Sequence, residues 1–201
     1  MQTSVDMTLK IIYHRMMKIN ELVSRYRTKL GFVFAALFII MARPTVLGMT
    51  VGMPIGIAGL LIRLWASGYI RKNKELSMDG PYSYTRNPLY VGSFFIGLGV
   101  SIMGSCIIFI VLFLTGFYFV YASVIRDEEK GLIELFGGSF LDYKSKVPAF
   151  FPRVKPVRLS KDFDLRLVVK HEEYNAWLGF AAMVVLLYLK YHFHLYSLCP
   201  L

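Results

Sequence analysis

The segment 79-DGPYSYTRNPLYVGSFFIGLG-99 passes from a polar loop into an apolar helix within a few residues. Gly80 and Pro81 punctuate a turn. Asn87 followed by Pro88 reads as a helix start, because Asn caps free backbone N–H groups and Pro suits the first helical position. The first turn then offers unpaired N–H groups and the positive end of a helix dipole, a seat for a carboxylate or phosphate, with Arg86 beside it. Past Leu89 the residues are apolar or small up to Cys106, as in a membrane span entered from its polar end. A plain capped membrane helix, with an arginine among lipid headgroups, would carry the same residues.

Working outward, the chain of 201 residues is 56% hydrophobic with a mean hydropathy of +0.52. That composition belongs to one polytopic membrane domain over 1–201 and excludes a soluble globule. Two cysteines, Cys106 and Cys199, define neither a disulfide framework nor a zinc site, and no metal is expected. Both fall near the same outer face in the topology below, which leaves a bridge between them open.

Residues 1–29 carry an apolar seam, Leu9, Ile12, Met16, Ile19, Val23 and Tyr26, that steps by three and four, with Lys10, Arg15, Lys18, Arg25, Arg27 and Lys29 mostly off it. This predicts a basic amphipathic helix on an anionic membrane surface. Read as a coiled-coil seam, it would instead join two copies in a homodimer. A cleaved signal peptide does not fit so long a polar lead.

Arg43 and Pro44 mark an outer turn between spans at roughly 26–43 and 48–70. Gly48, Gly52, Gly56 and Gly59 repeat at helical spacing in the second and leave a face bare for a neighbouring helix. Arg63 lies on that face and points into the bundle, where an unpaired arginine costs about 2.5 kcal/mol or more, unless it snorkels to the cytosolic headgroups. After the opening segment come a hairpin, roughly 88–104 and 106–125 about Gly104 and Ser105, and a continuation VIRDEEKGLIELFG that ends at Gly137 or Gly138. Glu128 and Glu129 are adjacent and diverge by about 100°, which lets one take a ligand while the other meets an arginine; a solvated charged helix end would carry the same pair. The segment from Ser139 to Arg158 has no strand alternation, but its aromatic residues predict that it folds against the bundle mouth. A last span covers about 176–191.

Of 23 Lys and Arg, 20 fall on one side of these spans. The positive-inside rule therefore places the amino terminus and the segment 126–172 in the cytosol and gives five spans over 30–201. The expected home is a bacterial inner membrane or the endoplasmic reticulum, and the basic residues serve lipid headgroups, with no nucleic-acid partner. Chemistry at Arg86 and Glu128 would meet at one membrane face.

The box GPYSYTRNPLYVG, a hydrophobic hairpin, and RDEEKGLIELFGGSFLDYKSKVPAFFPR together resemble the integral-membrane methyltransferases related to isoprenylcysteine carboxyl methyltransferase and the phospholipid methyltransferases. The resemblance covers about Arg63 to Arg153. It implies an all-α bundle that binds S-adenosyl-L-methionine without a Rossmann domain. Tyr84, Arg86, Asn87, Pro88, Tyr90 and Gly92 correspond to a first cofactor box, and Glu128 and Glu129 to a second. Gly97 and Gly99 resemble a small-residue pair that admits cofactor to backbone, and Tyr143, Val147, Pro148 and Pro152 match the segment that covers the adenosine. Asn87 stands where the isoprenylcysteine branch usually has His; phospholipid methyltransferases can carry Asn-Pro there.

The residue types suit the cofactor, whose ammonium wants a Glu and whose carboxylate wants an arginine or a helix amino terminus. Arg63 would grip a carboxylate acceptor, and a glutamate would serve as base for an amine acceptor. The expected activity is methylation of a lipophilic acceptor at the cytosolic face, first carboxyl O-methylation of an isoprenylcysteine type, second phospholipid amine N-methylation. A nicotinamide-dependent membrane reductase and a non-enzymatic membrane scaffold are the readings from other classes.

Overall fold

The structure is a computed structural model that describes residues 33–71, 75–156 and 163–193. The amphipathic helix and dimer seam expected over 1–29, like Cys199, lie outside the described residues. The chain forms two compact units, up to Ile40 and from Met41 onward. In the first, residues 33–40 belong to a helix, α1 (33–41). The second contains everything that follows. All regular elements among the described residues are helical: α2 (Val46–Ser67), a 3-10 turn (Gly80–Ser83), α3 (Pro88–Met103), α4 (Ile107–Phe136), α5 (Gly138–Lys146), α6 (Leu165–Lys170) and α7 (Tyr174–His192).

α2 starts where Thr45 Oγ1 accepts a hydrogen bond from Gly48 N at 3.0 Å, a side-chain cap. The expected glycine face meets α3. A Cβ on Gly52 would stand 2.4 Å from the Gly99 carbonyl oxygen, and one on Gly59 2.5 Å from that of Gly92. No larger residue permits this approach, which brings the two backbones together along most of α2. Gly56 receives the Phe180 ring of α7.

At the opposite end from Arg86, the two expected turns are tied together. Arg43 N donates to Gly104 O at 2.8 Å, and Thr45 and Ser105 share a hydroxyl hydrogen bond at 2.9 Å. Ser105 takes a left-handed φ of +50° between α3 and α4. Cys106 beside it is disulfide-bonded.

α2 and α4 are long and apolar enough to cross a membrane, and α3 is a shorter apolar helix of 16 residues. α4 runs unbroken for 30 residues and ends at Gly137, whose φ of +52° only glycine adopts easily. Most of its apolar side chains face outward, among them Ile107, Val111, Tyr118 and Phe119.

The segment after Gly137 departs from the sequence reading in one respect: its first part is a helix, α5. Phe140, Tyr143 and Val147, spaced by three and four, form a small core with Leu76, Met78, Leu132 and Phe136. This helical spacing is too short to stand out beside the prolines that follow. The short α6 has the same explanation; Asp164 caps it by accepting from Arg166 N at 2.9 Å.

Candidate functional site

The polar loop between α2 and α3 is built from its glycine outward. Gly80 has φ +57°, and a Cβ there would run into the Tyr69 ring, so the turn requires glycine. The 3-10 turn that follows is closed by Ser83 Oγ donating to Gly80 O at 2.6 Å. Its Tyr82 carbonyl accepts from the Tyr143 hydroxyl at 2.6 Å, which draws α5 up against the loop.

Arg86 then locks three parts of the chain. Its backbone N donates to Pro148 O at 2.9 Å, and Nη1 donates to Lys144 O at 2.8 Å and Val147 O at 3.0 Å. Nη2 donates to Glu129 Oε1 at 2.5 Å, and Glu129 Oε2 accepts from Lys144 Nζ at 2.6 Å. Both members of the Arg86–Glu129 pair are nearly enclosed, with 9% and 14% of their side chains exposed, so the pair is little screened by solvent.

Asn87 occupies the expected cap position but makes no side-chain cap. Its side-chain nitrogen donates to Ala149 O at 2.8 Å instead, while its backbone carbonyl accepts from Tyr90 N and Val91 N. The closing segment needed a donor at that point, and the amide satisfies it. Thr85 Oγ1 donates to the carbonyls of Ala149 and Phe150, and Arg153 N donates to Tyr84 O at 3.0 Å. Residues 144–153 thus fold over the start of α3, as their aromatic content predicts.

The two glutamates divide as their helical divergence requires. Glu129 faces Arg86, whereas Glu128 accepts from the Tyr90 hydroxyl at 2.9 Å, and no described lysine or arginine forms an ion pair with it. The Tyr90 ring is itself held edge-on by Tyr121, with centroids 4.9 Å apart.

These groups border a cavity of about 370 Å³. It is lined by the polar residues Tyr82, Arg86, Asn87, Glu128 and Glu129, by the ion pair of Arg71 and Glu75, and by the apolar or aromatic Ile70, Leu76, Leu132, Phe136, Phe140 and Tyr143. Volume and lining suit a small ligand with one charged and one flat apolar end. Burial is the main cause that raises the ionisation of both Tyr82 and Tyr143 above the ordinary tyrosine value, so both hydroxyls keep their protons.

The other expected site residues sit elsewhere. Pro88, Tyr90 and Pro148 do not line the cavity, and Tyr84 packs its ring against Trp65 at 6.0 Å. Gly92 and Gly99 face α2, and Gly97 faces the Phe113 ring of α4, so all three stand in helix contacts. Arg63 does point into the bundle. It holds Glu173 in a two-pronged ion pair, Nε to Oε2 at 3.0 Å and Nη2 to Oε1 at 2.8 Å, while Nη1 donates to Ser93 Oγ at 2.7 Å.

Three residues of this neighbourhood escape sequence reasoning. Tyr82 lies inside the opening segment but carries no motif of its own, and Lys144 looks like an ordinary surface lysine. Glu173 had a readable signal, an acid directly before an apolar span. Its buried position depends on Glu172, which takes φ +55° and turns the chain between α6 and α7.

The chain is 40% identical over 113 residues to the nickel-cobalt-cadmium resistance protein NccN of Alcaligenes xylosoxydans xylosoxydans, covering 55% of this chain and 52% of that protein. It is 37% identical over 113 residues to the cobalt-zinc-cadmium resistance protein CzcN of Cupriavidus metallidurans, with 55% and 51% covered. To the protein-S-isoprenylcysteine O-methyltransferase of Xenopus laevis it is 33% identical over 84 residues, 42% of this chain and 29% of that one. The chain therefore spans about half the length, or less, of the curated relatives it matches. No solved structure matches. Residues 33–139 match the model of the phospholipid methyltransferase family, more than half of the chain, from α1 through α2, α3 and α4 into the first residues of α5; the chain belongs to that family.

Proposed function

We propose that the chain is an integral-membrane methyltransferase that binds S-adenosyl-L-methionine in the cavity at the start of α3. The observation that carries this reading is the convergence of Arg86, Asn87, Glu128, Glu129 and Tyr143, drawn from three separate stretches of sequence, around one cavity of about 370 Å³. Glu128, without a described cation partner, receives the cofactor's ammonium. The apolar side takes the adenine, and the rim formed by residues 144–153 covers it. When bound, S-adenosylmethionine supplies a methyl group on a sulfonium, whose transfer to a carboxylate oxygen leaves an ester and a neutral thioether with no proton to move. The chain's contribution is then to hold donor and acceptor in line and away from water.

The acceptor is lipophilic and reaches the cavity from the bilayer at the cytosolic face. Carboxyl O-methylation of an isoprenylcysteine type is the first reading. Arg63 would grip the acceptor carboxylate in that reading, which requires it to exchange its present partner, the Glu173 carboxylate. Phospholipid amine methylation is the second, favoured by Asn87 in the place of a histidine; Glu128 would then be the base. The proposed topology has five spans in one membrane domain, with the amino terminus and residues 126–172 in the cytosol.

The test is calorimetric binding of S-adenosylmethionine to the detergent-purified chain, with Arg86→Ala, Glu129→Ala and a reduced nicotinamide as controls. Micromolar binding that both variants lose supports the reading. A folded wild type that binds nothing, or only the nicotinamide, ends it.

A further inference from the structure

Two buried polar side-chain atoms lack a hydrogen-bond partner among the described residues, the Tyr82 hydroxyl and Arg86 Nε. Both belong to residues that line the same cavity. Tyr82 is only 6% exposed. Folded proteins rarely leave buried donors unmet, so two on one cavity wall call for an explanation.

We propose that Tyr82 is a ligand-binding residue, its hydroxyl and Arg86 Nε together holding the carboxylate of an α-amino-acid group, the methionine end of the cofactor. This rests on the S-adenosylmethionine reading above. Three of the five Arg86 N–H groups are taken, two on Nη1 by the carbonyls of Lys144 and Val147 and one on Nη2 by Glu129, and Nε is the buried nitrogen left without an acceptor. Nε can only donate. The Tyr82 hydroxyl also donates, since burial and then Tyr143, Glu128 and Glu173 push its ionisation up against the smaller opposing pull of Arg63. Two donors without acceptors match the two oxygens of one carboxylate.

Charge narrows the ligand further. Arg86 and Lys144 share the single carboxylate of Glu129, which leaves one positive charge in excess. Glu128 lines the same cavity, accepts from the neutral Tyr90 hydroxyl and forms no ion pair among the described residues, one negative charge. A positive group beside a negative one complements a zwitterion. A simple anion such as phosphate would satisfy the first and be repelled by the second.

The experiment compares S-adenosylmethionine with its decarboxylated analogue, which keeps the ammonium, sulfonium and adenosine, on wild type and Tyr82→Phe by calorimetry. Tyr82→Phe is expected to weaken S-adenosylmethionine by about tenfold or more, as for a hydrogen bond to a charged group. The analogue's affinity should stay within about twofold. Equal weakening of both ligands, or no change with S-adenosylmethionine, overturns the inference while leaving the methyltransferase reading intact. Wild type alone provides a second check that does not depend on how the variant folds: it must bind the analogue at least about tenfold more weakly, and equal affinities overturn the inference. A wild type that binds neither ligand overturns both readings.

Discussion

Arg63 poses the sharpest question at the scale of single residues. Its side chain is 24% exposed and its partner Glu173 only 5%, so removing the arginine alone would strand a nearly buried carboxylate. Arg63→Met should cost about 3–5 kcal/mol in stability, whereas Arg63→Met with Glu173→Leu should recover most of it, because a buried ion pair is often replaceable by apolar residues. Thermal unfolding in detergent measures both. If Arg63 also grips an acceptor carboxylate, the double variant will fold yet show a raised KM for carboxylate acceptors at unchanged affinity for S-adenosylmethionine. An unchanged KM would reduce Arg63 to a structural tie between α2, α3 and α7.

At the scale of elements, the contact between α2 and α3 depends on the absence of side chains. Gly59→Ala places a methyl group 2.5 Å from a backbone oxygen, which cannot swing aside. It should lower stability by about 1–3 kcal/mol. Gly116→Ala in α4 meets open space and should be neutral or slightly stabilising, since alanine favours the helix by up to about 1 kcal/mol. Equal melting temperatures for the two variants would contradict the packing described. The glycine repeat, the turn at Gly104 and Ser105 and the stop at Gly137 were all legible in the sequence, because each is a local backbone requirement that glycine or a polar break announces. So was the division between Glu128 and Glu129, which follows from helix geometry alone. Asn87 misled because its preference for capping is a local tendency, and a carbonyl 62 residues away outbid the helix for its amide. Glu173, which meets Arg63 across 110 residues, belongs to tertiary structure, and no local rule pairs them.

At the scale of the whole molecule, the acids and bases gather where α2, α3 and α4 leave their apolar stretches, and the far end holds the small tie between Thr45 and Ser105. α4 runs the distance between these ends as one rod. Ile107, its first residue, and Glu128 are separated by about 32 Å along the helix axis, against about 30 Å for the hydrocarbon of a typical bilayer. In a chain that spans the membrane as proposed, the rod works as a depth gauge: it sets the glutamates at the water boundary in a membrane of ordinary thickness and would draw them under in a thicker one. Reconstitution in bilayers of increasing acyl length should therefore weaken S-adenosylmethionine binding several-fold once the hydrocarbon exceeds the rod, and an affinity indifferent to thickness would place the glutamates elsewhere. On the proposed reading the surrounding lipid would act twice, once as the source of the acceptor and once as the ruler that decides whether the charged groups stay wet.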